Sequence, residues 1–104
     1  SAAAAALLAA AASAADPQLA LGSYAEAHAK FPDDVAVLDA FGGFLMAVDR
    51  GALPDELAAD GVVEGLAHAM LSRSVASAPA GGSWRYLVLG QVECDARRAV
   101  GWIE

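Results

Sequence analysis

Clusters of proline, aspartate and glycine divide this sequence into segments of helical length, and this punctuation limits the possible folds more than any other feature. The clusters read AADPQ, KFPDD, GALPDE and SAPAGGS. Proline and glycine interrupt regular elements, and an aspartate before an apolar run often caps a helix. Alanine and leucine dominate between the clusters and isoleucine occurs once, so strand propensity is low. The sequence therefore predicts an all-α fold.

The first well-defined helix is expected directly after AADPQ. Asp16 is a suitable N-cap, and Pro17 fits the first helical position, where its missing N–H is not needed. Pro32 ends the helix because the residue before a proline is displaced from the α region. The apolar stripe of this helix recurs at helical spacing and consists of Ala20, Leu21, Tyr24, Ala27 and Phe31.

The second helix is predicted over residues 35–50. Asp33 or Asp34 caps its start, and Gly51 stops its end. The two glycines of FGGF in its middle cost about 1 kcal/mol each relative to alanine, so we expect the backbone of a neighbouring helix to approach closely there. One face carries the large apolar residues Leu38, Phe41, Leu45 and Val48, extended by Val37 and Phe44.

The remaining segments are assigned from the same signals. A short helical turn is expected over 54–60, and a longer helix over 62–77. WRYLVLGQ, residues 84–91, is read as a helix, because a strand there would find no partner strand for its backbone groups. The inward residues of the 62–77 helix are expected to be Val62, Leu66, Ala69, Met70 and Val75.

The first 15 residues form an alanine-rich segment of low complexity. Its helix propensity is high, but Leu7 and Leu8 are its only large side chains. We therefore predict a weakly anchored helical segment over 1–15, followed by a helical domain over 16–104. Because the chain begins with Ser1 and ends inside an apolar pattern, we expect it to be a fragment of a longer protein.

The net charge of −7 is unevenly distributed. Residues 16–64 contain ten acids against Lys30 and Arg50, whereas residues 65–104 contain four arginines and three acids. An acidic half repels the phosphates of nucleic acids and suits a basic protein partner. The alternative is that these acids only solvate an otherwise apolar chain.

Composition also argues against membrane insertion and catalysis. The uncharged run AAAAALLAAAASAA is shorter than the roughly 20 residues that a spanning helix needs, so we expect a soluble protein without a membrane partner. Cys94 is the single cysteine and favours a reducing compartment. The isolated His28 and His68 do not make a metal site, which needs three or four converging ligands. We expect no enzymatic activity, no metal and no cofactor.

Two stretches share a helix, a proline break and a following helix with an apolar-glycine pair. This pattern resembles the tetratricopeptide repeat, a helix-turn-helix unit of roughly 34 residues. The first copy consists of Ala20, Tyr24, Ala27, Pro32, Leu38, Phe41 and Gly42. The second consists of Ala67, Leu71, Ser74, Pro79, Tyr86, Leu89 and Gly90, with a serine where the repeat usually has alanine. The resemblance implies a right-handed α-solenoid of antiparallel helix pairs with about two and a half repeats.

A narrower resemblance lies in SVASAPAGGSWRYLVLGQV followed by ARRAV. It is similar to the tetratricopeptide-type chaperone dedicated to the fourth large-subunit ribosomal protein of eukaryotes. The matching residues are Trp84, Tyr86, Leu87, Leu89, Gly90, Gln91, Ala99 and Val100, whereas Cys94-Asp95 stand where that family has a turn glycine. The resemblance implies a cytoplasmic or nuclear chaperone that holds a basic ribosomal protein during large-subunit assembly.

In such repeats the first helix of each pair lines the concave face, which implies a set of partner-binding residues. Asp39 and Asp95 are expected to pair with Lys or Arg of the partner, and Trp84 to stack on a guanidinium. The full set is Asp39, Gly43, Met46, Trp84, Leu87, Gln91 and Asp95, with Ala36, Ala47 and Cys94 beside them. The alternatives are a generic tetratricopeptide adaptor for peptide tails and an end-cap of a longer helical array.

Overall fold

The computed structural model describes residues 2–59 and 61–77, and the all-α class is confirmed for this part of the chain. No strand occurs among these residues. The elements in chain order are α1 (Ala2–Ser13), α2 (Pro17–Lys30), α3 (Val35–Ala47), a 3-10 turn (Arg50–Ala52), α4 (Asp55–Ala58) and α5 (Val62–Ser77).

Aspartate caps define where α2 and α3 begin. The Asp16 carboxylate accepts a hydrogen bond from the backbone N–H of Gln18 at 2.9 Å, directly before α2. The Asp34 carboxylate accepts one from the backbone N–H of Val37 at 3.2 Å, so Asp34 is the cap of α3. Each such cap stabilises its helix by about 1 kcal/mol, because it satisfies a backbone donor that has no partner within the helix.

The end of α3 differs from the prediction: the helix ends at Ala47 instead of continuing to residue 50. Val48 has extended backbone angles, with φ −71° and ψ 143°. Next to it, the Asp49 carboxylate accepts a hydrogen bond from the backbone N–H of Gly51 at 3.0 Å. This local side-chain bond competes with continuation of the helix, which explains the early end.

The helices pack as antiparallel neighbours. The short connections between α1, α2 and α3 are typical of antiparallel helices in a bundle, and the most extensive packing is that of α3 on α5. Asp39 of α3 contacts Ser74 of α5. One turn later in α3, Gly42 lies against Leu71, one turn earlier in α5, so these two helices also run antiparallel.

Gly42 lies where α5 packs tightly on α3. A Cβ atom at this position would lie 2.9 Å from Cγ of Leu71, whereas one at Gly43 would have no neighbour within 4 Å among the described residues. A neighbouring helix therefore contacts α3 at the first of the two glycines. The contact is made by the side chain of Leu71, whereas the prediction was close approach of the helix backbone.

The buried residues of α2 and α5 share one spacing. In α2 the buried residues are Ala20, Tyr24 and Ala27. In α5 they include Ala67, Leu71 and Ser74, together with Val63 and Met70. Of the inward residues predicted for α5 from their size, Met70 is buried and Val62 and Val75 are half-buried. Leu66, which is 36% exposed, and Ala69 were predicted wrongly. Size misled the prediction because α5 presents its alanine and serine to α3 at close range.

Helix α1 packs against α2 more closely than the expectation of a weakly anchored segment suggests. Ala4 and Ala11 are nearly fully buried, in contact with residues of α2 and α3. Leu7 and Leu8 are partly buried against the same clusters. Alanines allow two helix backbones to approach closely, so α1 is held by its small residues together with these two leucines.

An aromatic cluster joins α2 to α3. The Tyr24 ring stacks on Phe41 with 5.7 Å between ring centroids, and lies 4.9 Å from the Phe44 ring. From the connection between α3 and α4, Leu53 inserts into the same core and is 5% exposed. The segment between α3 and α5 is therefore anchored by a buried leucine.

Candidate functional site

Three of the predicted partner-binding residues lie on α3, and their environments differ. Asp39 is half-buried and accepts a hydrogen bond from the hydroxyl of Ser74. Met46 is half-buried and packs against the core. Gly43 faces open space and lies on the same helix face as the exposed Ala36 and Ala47. The open side of α3 therefore carries small residues, and Asp39 lies at its border with α5.

The hydrogen bond between Ser74 and Asp39 is a contact that the sequence analysis missed. Ser74 is fully buried, and buried hydroxyl groups in proteins nearly always have a hydrogen-bond partner. The signal was present in the sequence, since a serine occupied a position predicted to be small and buried. It did not identify the acceptor, because Asp39 lies 35 residues away along the chain.

The remaining members of the predicted sets are placed as follows. Ala20, Tyr24, Ala27, Leu38, Phe41 and Gly42 are buried between helices, and Pro32 is exposed in the turn between α2 and α3. Trp84, Tyr86, Leu87, Leu89, Gly90, Gln91 and Asp95 lie outside the described residues.

The described surface is strongly acidic. The described ranges contain nine acids and three bases, and each of these bases is engaged in an ion pair. Lys30 bonds to Glu26 at 3.0 Å within α2. The pair Arg50–Glu64 joins the 3-10 turn to α5, and the pair Arg73–Asp33 joins α5 to the turn before α3. Because these cations are compensated locally, the remaining carboxylates dominate the field around this part of the chain.

The histidines take part in local contacts. The His28 ring packs edge-on against Phe41, with 6.1 Å between centroids. His68 Nδ1 lies 3.5 Å from the hydroxyl oxygen of Ser72, one turn further along α5. Within the described ranges, no three histidine, cysteine or acidic side chains come together as a metal-binding group. None of the helices described combines the length and apolar character that crossing a membrane requires.

An apolar cleft of about 360 Å³ lies at the end of the helical layer where α1 and α3 end and α2 begins. Its lining includes Pro17, Tyr24, Phe44 and Val48, and alanines from α1, α3 and the α1–α2 turn. Asp49 contributes the charged side chain of the lining. The cleft has the size of a small ligand site, about 300–1,000 Å³, and its lining is mostly apolar as in such sites. No single residue in the sequence indicates this cleft, since alanines from three helices and a turn form it together.

Comparisons with protein-family models, curated proteins and solved structures found no match for this chain. Its function therefore has to be inferred from its own residues.

Proposed function

We propose that this chain is a protein-binding helical-repeat module, of tetratricopeptide type, that holds a basic ribosomal protein during large-subunit assembly. Its role is binding and shielding, without catalysis, in the cytoplasm or the nucleus. The partner is a protein, and neither nucleic acid nor a membrane is bound directly.

The burial pattern supports the repeat part of this proposal. The small-large-small set Ala20, Tyr24 and Ala27 recurs as Ala67, Leu71 and Ser74, and all six residues are buried. Each set belongs to the second helix of an antiparallel pair, α1 with α2 and α3 with α5. In this proposal α1–α2 and α3–α5 are consecutive units of a right-handed solenoid, which gains stability from stacked neighbours.

The acidic surface supports the part of the proposal that concerns binding of a basic protein. Asp55 and Glu56 are exposed on α4, and the caps Asp16 and Asp49 are exposed as well. With every described base already paired to an acid, this surface attracts Lys- and Arg-rich segments and repels RNA. A new ribosomal protein needs such cover, because its basic segments otherwise bind RNA nonspecifically.

Affinity capture from a eukaryotic cell extract tests this function. The immobilised chain is expected to recover one basic large-subunit ribosomal protein, identified by mass spectrometry, and to release it at high salt. The double substitution Asp55→Lys with Glu56→Lys is expected to reduce the recovery. The matched control, Asp55→Glu with Glu56→Asp, keeps the charge and is expected to capture normally. Recovery of unrelated proteins at equal yield contradicts the proposal.

The same ion pairs argue against one variety of the alternative, a generic tetratricopeptide adaptor. Adaptors that hold a C-terminal carboxylate use Lys and Arg on the concave face. Across the described ranges, Lys30, Arg50 and Arg73 are each paired with an acid of this chain. An adaptor role without a carboxylate clamp is distinguished by the capture experiment, since it predicts partners other than ribosomal proteins.

A further inference from the structure

We propose that the cleft between the end of α1, the start of α2 and the end of α3 binds a large apolar side chain that neighbours Lys or Arg in a partner protein. This inference deepens the proposed function, on whose basic partner it rests, by assigning a position for the contact. The cleft lies at one end of the helical layer, away from the border between α3 and α5 where Asp39 is held.

The interior of the cleft suits an apolar group. Tyr24 and Phe44, whose ring centroids are 4.9 Å apart, belong to its lining together with Val48 and Pro17. The opposite side is built from alanines of α1 and of the α1–α2 turn, whose short side chains leave the space unfilled. An aromatic or leucine side chain entering there exchanges water for apolar contacts, which favours binding.

The negative charge at the cleft favours a partner segment in which Lys or Arg stands next to the apolar side chain. Asp49 belongs to the lining, and Asp16 stands in the turn between the lining residues Ala15 and Pro17. One oxygen of each carboxylate accepts a backbone hydrogen bond, from Gly51 and from Gln18. A carboxylate can accept several hydrogen bonds, so both remain able to pair with Lys or Arg. Acidic segments are repelled by the same charges.

The experiment measures binding of fluorescein-labelled peptides to the full chain by anisotropy. The probe is the capped peptide Gly-Lys-Trp-Lys-Gly, and the comparison peptides are Gly-Lys-Gly-Lys-Gly and Gly-Glu-Trp-Glu-Gly. We expect measurable binding of the first peptide and at least about tenfold weaker binding of the other two, since one lacks the apolar group and the other has the wrong charge. Equal binding of the first two peptides overturns the proposal.

Substitutions then locate the site. Ala47→Leu fills the cleft from an exposed position of α3 and is expected to weaken probe binding at least about tenfold. Ala25→Leu, at an exposed position of α2 outside the cleft lining, is the matched control and is expected to leave the affinity unchanged. Both variants keep a good helix former, and circular dichroism checks that both remain folded. Equal affinities of the two variants overturn the assignment.

Charge is tested separately. Asp49→Asn retains an oxygen that can accept from the backbone N–H of Gly51, and is expected to weaken probe binding about two- to fivefold at low salt. Glu26→Gln removes one charge from an exposed position of α2 outside the cleft lining and is the matched control. Equal effects of these two changes contradict a specific role of Asp49.

The peptide-binding and capture experiments distinguish failure of the cleft proposal from failure of the chaperone proposal. If the Ala47→Leu variant captures the ribosomal protein normally, the proposed binding role of the cleft is contradicted and the chaperone proposal is unaffected. Loss of peptide binding in Ala47→Leu, with no ribosomal protein captured by the unsubstituted chain, supports the cleft and contradicts the chaperone role.

Discussion

Replacing each of the two adjacent glycines of α3 by alanine separates helix propensity from packing. Both substitutions gain about 1 kcal/mol of helix propensity. At Gly43 none of the described residues lies within 4 Å of the new Cβ, so Gly43→Ala is expected to stabilise the protein by about 0.5–1 kcal/mol. At Gly42 the new Cβ would lie 2.9 Å from Cγ and 3.0 Å from Cδ2 of Leu71, and this fully buried side chain would have to shift.

Overpacking of this kind costs about 1–3 kcal/mol. The propensity gain is common to both variants, so Gly42→Ala is expected to be less stable than Gly43→Ala by about 1–3 kcal/mol. For a domain of this size the difference corresponds to at least about 4 °C in Tm. Urea and thermal unfolding of the full chain, followed by circular dichroism, measure it. Equal stability of the two variants refutes the close approach of α3 and α5 at Gly42.

Two further substitutions test the contacts that hold α5 and the α3–α4 connection. Ser74→Ala removes the buried donor to Asp39 and is expected to lower the free energy of unfolding by about 1–3 kcal/mol, whereas the exposed Ser77→Ala on the same helix changes it by less than about 0.5 kcal/mol. Leu53→Ala is expected to cost about 2–5 kcal/mol, and Leu19→Ala, at a position that is 65% exposed, less than about 0.5 kcal/mol. Urea denaturation checks both pairs, and equal losses within a pair contradict the assigned burial.

Local signals predicted the elements well where a single side chain decides the boundary. Asp16 and Pro17 set the start of α2, and the predicted 62–77 helix coincides with α5. The predicted end of α3 lies three residues beyond the observed one, because the prediction used Gly51 as the helix stop. The helix ends earlier, at the turn in which Asp49 accepts a hydrogen bond from the backbone N–H of Gly51. The sequence alone does not rank a glycine stop against an aspartate whose side-chain hydrogen bond competes with continuation of the helix.

Tertiary features were harder to predict, because they depend on which helix lies opposite. The large side chain of Leu66 was predicted to be buried, but it is exposed. The buried face of α5 includes the small residues Ala67 and Ser74 instead. The small-large-small spacing that α5 shares with α2 indicated the buried face of α5 correctly. The hydrogen bond from Ser74 to Asp39, which links two helices of this chain, was not predicted, because the two residues lie 35 positions apart. The aromatic-lined cleft depends on gaps between alanines of separate elements, which no local pattern encodes.

The central claim is that the acidic helical surface shields a basic ribosomal protein. Its most direct test is the turbidity of the purified fourth large-subunit ribosomal protein after addition of RNA, with and without an equimolar amount of this chain. The chain is expected to suppress aggregation at low salt, and the variant Asp55→Lys with Glu56→Lys to suppress it less. Unchanged turbidity, or equal suppression by an unrelated protein of the same net charge, would contradict the claim.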